Sequence, residues 1–293
     1  MGRVDKPSVN GILVVDKPAG LTSHDVVARV RRMQHTRDVG HTGTLDPFAT
    51  GVMVLGLGEG LKLVAHLTEQ DKIYEAEVVL GVQTDSLDGT GTKIAEAPVP
   101  LLGTLEDPAP ALLAALDAER ARTAQIPPAI SAIHVDGVRA YERARRGESV
   151  DLPPRAVAVR ALELLAVYND RLRLRVHTGK GYYVRALARD LATAVGTVGH
   201  LSTLRRLQSG AFTLADARAL DAPPLALPEV LRRLFPVVQV GEHEAIALGH
   251  GKRIAAPAEI AVDTTVACMR EETPIALVRR QDEELIVLRG FRV

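Results

Sequence analysis

The densest concentration of chemically capable side chains is QHTRDVGHTGTLDPFATG at 34–51, rich in Gly, Thr, Asp and Pro yet bracketed by apolar segments. A loop of that composition, held by a scaffold, is where functional residues collect. Asp46 is its leading candidate. The proline that follows stiffens the backbone, while the carboxylate remains available to a pocket as a reacting group. An Asp-Pro pair also suits a plain turn, with the carboxylate accepting local N–H groups. Only the surrounding elements decide between the two.

Those elements read as follows. GILVVDKPAG at 11–20 is a buried strand closed by a Pro-Gly turn,. Thr22 or Ser23 then caps a helix that puts Val26, Val30 and Met33 on one face,. VMVLGLG and KIYEAEVVLGV are strands, and a helix spans about 109–122,. Asp136-Gly137 marks a hairpin-type turn before a second helix, RAYERARRG,. Arg171 to Val176 alternates strictly, three arginines on one face and three apolar residues on the other, as in a half-buried strand,. GKGYYVRALARDLATAVG is a turn and a helix stopped by Gly196, with Arg185 in its first turn,. The Pro-rich stretch 222–236 reads as a boundary, followed by the short strands GKRIAA, IAVD, TPIALVRR and ELIVLRG. Without regular βαβ alternation the class is α+β.

Composition narrows the function. At 293 residues and 46% hydrophobic the chain has ample core,. No apolar run approaches the roughly eighteen residues of a membrane span, and MGRVDKPSVN lacks a signal-peptide apolar region,. One cysteine, Cys268, rules out an internal disulfide framework, and the nine histidines form no HExxH spacing,. A cytoplasmic, metal-free protein is expected. Net charge is zero but unevenly spread. Residues 171–210 carry Arg171, Arg173, Arg175, Lys180, Arg185, Arg189, Arg205 and Arg206 against Asp190, eight minus one leaving seven excess positive charges. From 241 onward nine carboxylates meet seven Lys and Arg. The basic stretch is therefore a candidate footprint for nucleic acid, unless counter-charges fold onto it from elsewhere.

Thr42-Gly43-Thr44 is similar to the aspartyl-phosphate loop of haloacid-dehalogenase-like phosphatases, but that motif needs an aspartate two residues before the glycine, and here His41 is there. Gly56, Gly58 and Gly60 form GxGxG rather than GxGxxG, and no GxxxxGK[ST] occurs,. Taken together, DKPAGLTSHD at 16–25, GHTGTLDPFATGV at 40–52, KIYEAEVVLGVQTDSLDGTG at 72–91, QIPPAISAIHVDGVRAYERARRGE at 125–148, GKGYYVRALARDL at 179–191 and HLSTLRRLQSGAF at 200–212 closely match one family in order. The chain resembles the bacterial enzymes that make pseudouridine at position 55 of tRNA. That resemblance implies a mixed, mainly antiparallel sheet with flanking helices over 1–235 and a small β-rich PUA-like RNA-binding domain over 237–293.

The same resemblance implies the activity and its residues. Uridine in the T-arm of tRNA would be flipped out and isomerised without a cofactor, by a monomer. Asp46 would attack the sugar or base, or assist elimination. Arg185 would pair with Asp46 and aim it. Tyr74 would stack on the uracil and handle the C5 proton. Tyr183 and Leu204 would line the pocket, and His41 would stack on or displace a T-loop base. Lys17 would support the loop or contact the RNA backbone, and Asp85 would hold Arg185 or contact RNA. His134 stands where the family usually has Lys. A catalytically silent tRNA-binding chaperone of the same fold is the alternative function.

Overall fold

The computed structural model describes residues 9–131, 134–135, 138–139 and 152–292. The main elements are β1 (Gly11–Lys17), α1 (Ser23–Met33), β2 (Val39–His41), β3 (Thr50–Leu57), α2 (Val64–Glu69), β4 (Lys72–Leu80), α3 (Pro110–Arg120), β5 (Val159–Val167), β6 (Arg171–Thr178), α4 (Val184–Ala194), β7 (Gly199–Ser209), α5 (Leu227–Leu234), β8 (Val237–Gln239), α6 (Glu242–Gly249), β9 (Ile254–Ala255), β10 (Thr265–Arg270), β11 (Thr273–Gln281) and β12 (Glu284–Gly290). The large sheet runs β1-β3-β7-β4-β6-β5, with β2 on β3, and is antiparallel except where β7 meets β3. A second, five-stranded sheet runs β8-β10-β11-β12-β9. The class is α+β.

Strand periodicity decides which faces are buried. On β4, Lys72, Tyr74, Ala76, Val78 and Leu80 turn inward and Glu75 and Glu77 outward. Residues opposite one another in an antiparallel pair share a face. Val176 and Arg206 flank Tyr74, and Leu174 and Leu204 flank Ala76, so these share the inner face. α1 lays Val26, Val27 and Val30 on this face, and α4 adds Val184, Leu187 and Leu191. Each such side chain contributes about 1.5–3 kcal/mol on burial. Met33, expected on α1's buried face, is 43% exposed, and Val27 takes the apolar stripe instead.

At the β1-β3 end the opposite face is covered by α2, α5 and the second sheet, since Ile12, Val14, Leu67, Leu227, Leu231, Ala267 and Leu277 form one cluster. The Pro-rich stretch 222–236 is thus built around the packed helix α5. IAVD is not a strand: Asp263 has φ +62° in a turn, and the strand starts at Thr265. The Asp136-Gly137 turn and the helix expected in RAYERARRG lie outside the described residues, although His134–Val135 and Val138–Arg139 pair as an antiparallel ladder.

The basic stretch 171–210 does not form an unneutralised surface. Arg171, Arg173 and Arg175 do project together from β6, but Glu77 and Asp170 meet the first, Glu75 the second, and Glu75 and Glu163 the third. Lys180 meets Glu69, Arg189 meets Asp190, and Arg205 meets Asp16. Strand pairing supplies counter-charges from sequence-distant segments, which local counting cannot see. Arg185 and Arg206 turn inward instead.

Candidate active site

The loop that carries Asp46 is tied to the fold at every turn. Thr22 caps α1 in a reciprocal box with Asp25. The next residue, Ser23, points its hydroxyl inward, where Oγ donates to the Leu45 carbonyl (3.1 Å) and accepts from the Leu45 N–H (2.9 Å). The Gly20 N–H donates to the Pro47 carbonyl at 2.8 Å, and the Ala49 N–H closes a turn on the Asp46 carbonyl at 3.1 Å. Gly51, at φ +105°, has no room for a Cβ, which would lie 2.1 Å from the Arg206 carbonyl oxygen. Asp46 is therefore presented by a backbone fixed on both sides.

Arg185 meets it from the first turn of α4. Nε donates to Oδ2 at 2.9 Å and Nη2 to Oδ1 at 3.1 Å, a bidentate fork,. The guanidinium side chain is 7% exposed and the Asp46 side chain 31%, so the pair is buried on the arginine side and open on the carboxylate side. Nη1 donates to the Ser86 carbonyl at 2.8 Å and lies 3.9 Å from Asp88 Oδ2. Asp85, expected to hold Arg185 or contact RNA, does not meet Arg185 among the described residues. Asp85 is exposed and its Oδ1 accepts from the Thr92 N–H. Leu87, at φ +61°, reverses the chain so that Asp88, three residues later, turns inward. Asp88 is fixed by the Ser86 and Thr90 hydroxyls and the Thr90 N–H. The second carboxylate of QTDSLDG was visible in sequence, but the φ > 0 residue that aims it was not.

Lys17 is fully buried, and its Nζ donates to the carbonyls of Pro18 (3.0 Å), Leu21 (2.7 Å) and Pro47 (3.3 Å). It braces the Asp46 loop. Burial pulls its pKa down, and the nearby Asp46 carboxylate opposes that,.

Tyr74, 9% exposed, and Leu204, 7% exposed, lie on the inner face of β4 and β7. Leu204 and Phe48 also border a groove of about 490 Å³ that Tyr74, Asp46 and Tyr183 do not line. Tyr183 stands at the N-cap of α4, held through its backbone by Gln125, whose side chain donates to its carbonyl and accepts from its N–H. Burial raises the Tyr183 pKa, the cations Arg155 and Arg185 oppose this, and Asp46 reinforces it. The hydroxyl is thus a neutral donor. His41 sits at the end of β2 with Nδ1 buried and without a hydrogen-bond partner, and His24 meets its ring edge-on at 5.9 Å between centroids. Burial, then His24 and Arg206, lowers its pKa, so the ring is neutral at pH 7.

Arg206 was counted in sequence only as part of a basic run. It is the largest fully buried side chain among the described residues, followed by Lys17. Nε donates to the Val52 carbonyl at 2.6 Å and Nη2 to the Gly43 carbonyl at 3.2 Å, joining both ends of the Asp46 loop. Gln125 and Arg206 had no signature because each acts through a distant backbone.

Asp46 thus offers an open carboxylate on a buried guanidinium fork, with Lys17 and Tyr183 near enough to feel its charge. The sequence profile of the TruB family pseudouridylate synthase N-terminal domain matches residues 31–184. A relative from Corynebacterium aurimucosum, "tRNA pseudouridine synthase B", is 46% identical over 83% of this chain and 84% of its own. One from Cutibacterium acnes with the same name is 41% identical over 94% of both. The fold is also similar to a Cbf5-Nop10-Gar1 complex chain, with TM-score 0.68 at 22% identity, covering 97% of this chain and 85% of that one. A chain of an H/ACA RNP bound to a substrate RNA gives TM-score 0.68 at 20% identity, again over 97% and 85%. A profile spanning more than half of the sequence and relatives this similar across most of it make the chain a member of the TruB family of pseudouridylate synthases.

Proposed function

We propose that this pseudouridine synthase acts on tRNA at uridine 55 of the T-arm, as a cytoplasmic monomer, with Asp46 as the reacting carboxylate. The observation that carries this reading is the bidentate Asp46–Arg185 fork with its carboxylate side open. A stacked base is out of reach, so the uridine is extruded into the site. The C1′–N1 bond breaks with its electron pair going to the uracil. The ring turns, C5 bonds to C1′, and the C5 proton is lost while N1 gains one. Atoms balance without a cofactor. Asp46 reacts at the sugar or base, or assists elimination, and Arg185 aims it. Tyr74 stacks on the uracil and manages the C5 proton. Tyr183 and Leu204 shape the pocket, and His41 offers a flat neutral ring to a displaced T-loop base. Lys17 and Asp88 act indirectly, by bracing the loop and Arg185. The second sheet acts as a PUA-like RNA-binding domain.

Tritium release from tRNA labelled at C5 of uridine tests the assignment. Wild type should release tritium, and Asp46→Asn should release none while binding tRNA with near-normal affinity. Turnover by Asp46→Asn would remove Asp46 from the chemistry. A wild-type protein that binds tRNA without releasing tritium would be the silent chaperone instead.

A further inference from the structure

We infer that the exposed face of α1 and the turn after it form a phosphate-binding surface for the RNA backbone leading away from the flipped uridine. This rests on the proposed site, which the surface adjoins. The starting point is the matching of charges. The arginines of β6 are each paired with carboxylates. On α1 and its following turn, Arg29, Arg31, Arg32 and Arg37 are all exposed, and none makes a close ion pair among the described residues, although the Arg29 charge helps hold the Asp25 carboxyl below its ordinary pKa. Among the described residues the only hydrogen bond from these four side chains runs from Arg31 Nη2 to the Val39 carbonyl at 2.9 Å, which leaves its charge unmatched. Asp25 and Asp38 are the only acids in 22–38, so the segment carries four positive charges against two. Asp25 is already engaged by the Thr22 N–H and hydroxyl.

Helical spacing aligns the charges. His24, Ala28, Arg31 and Arg32 fall at i, i+4, i+7 and i+8 of α1, one stripe of about 12 Å at 1.5 Å per residue,. Arg29 and Arg37 flank it. The stripe begins at the site. His24 touches His41, and Ser23 beside it is hydrogen-bonded to Leu45, the neighbour of Asp46. A surface cationic stripe starting beside the Asp46 loop suits a polyanion whose backbone continues past the extruded nucleotide,.

Counterion release makes the surface measurable. Each neutralised phosphate steepens the fall of affinity with salt by roughly 0.7 to 0.9 log units per tenfold salt. We compare wild type, the triple variant Arg29→Gln, Arg32→Gln, Arg37→Gln, and the control triple Arg171→Gln, Arg173→Gln, Arg175→Gln for tRNA affinity over a salt series. The α1 triple should flatten the slope by about two units, three contacts at most being lost. The β6 triple should leave it within about half a unit of wild type. Circular dichroism melts confirm folding of both, and single replacement of Arg32 by Gln, which should remove about one unit, serves if the triple unfolds. An α1 slope equal to wild type, or a larger loss in the β6 triple, overturns the inference. Tritium release by wild type in the same buffers separates the two questions. An active wild type with an unchanged α1 slope refutes the surface alone, and an inactive wild type with a flattened slope refutes the activity alone.

Discussion

The two faces of the large sheet treat positive charge in opposite ways. On the outer face of β4 and β6, arginines stand in solvent and every one meets a carboxylate. On the inner face, Lys17, Lys72 and Arg206 are buried, and among the described residues their side chains donate only to backbone carbonyls. Exposed matched pairs are worth about 0–1 kcal/mol each, because water and salt screen them. Burying an unmatched cation costs several kcal/mol, so it persists only where hydrogen bonds and a nearby anion offset it. Asp46 is that anion for Lys17. The outer charges maintain a solvated surface, and Lys17 and Arg206 on the inner face hold the Asp46 loop.

The comparison breaks first at Arg185, the inner-face cation with a carboxylate fork. Arg185→Lys keeps the charge but cannot span both Asp46 oxygens and the Ser86 carbonyl,. Misaiming a reacting group costs on the order of a hundredfold, so single-turnover isomerisation should fall at least that far, while tRNA affinity changes little. Near-normal rates would show that the fork does not aim Asp46.

Arg206→Met comes next. It removes both donors that join the ends of the Asp46 loop, leaving the Gly43 and Val52 carbonyls unpaired. Urea melts should show a loss of about 1–3 kcal/mol, with turnover falling at least tenfold. Arg173→Gln on the outer face should cost at most about 1 kcal/mol and leave turnover intact. Equal losses in the two variants would erase the distinction between the faces.

The smallest effect is in pH. Burial lowers the pKa of His41 and of His66, the latter packed on Phe235, from the ordinary 6.5. The unfolded chain then binds protons that the folded one does not between the folded values and 6.5. Stability therefore falls as pH drops through that window and is fully present above it. His66→Gln should flatten the Tm profile between about pH 5 and 7. A profile as steep as wild type would assign the slope to other groups.

What the residues determined by themselves was local and periodic. The buried β1, the capped α1, the alternation in β6 and the α4 start were all legible, because a strand repeats every two residues and a helix every 3.6. The density of Gly, Thr and Pro around Asp46 marked a held loop before any partner was known. Tertiary structure decided every question that turned on a distant neighbour. It replaced Asp85 with Asp88 through a single residue at positive φ, and moved Met33 out of the core. It buried Lys17 beneath the Asp46 loop and matched the arginines of 171–175 with glutamates about a hundred positions earlier. It also turned Arg206 from one charge in a run into a brace for the Asp46 loop. Charge is a property of a residue, but its neutralisation depends on what lies within about 4 Å, and in an antiparallel sheet those neighbours come from strands remote in the chain.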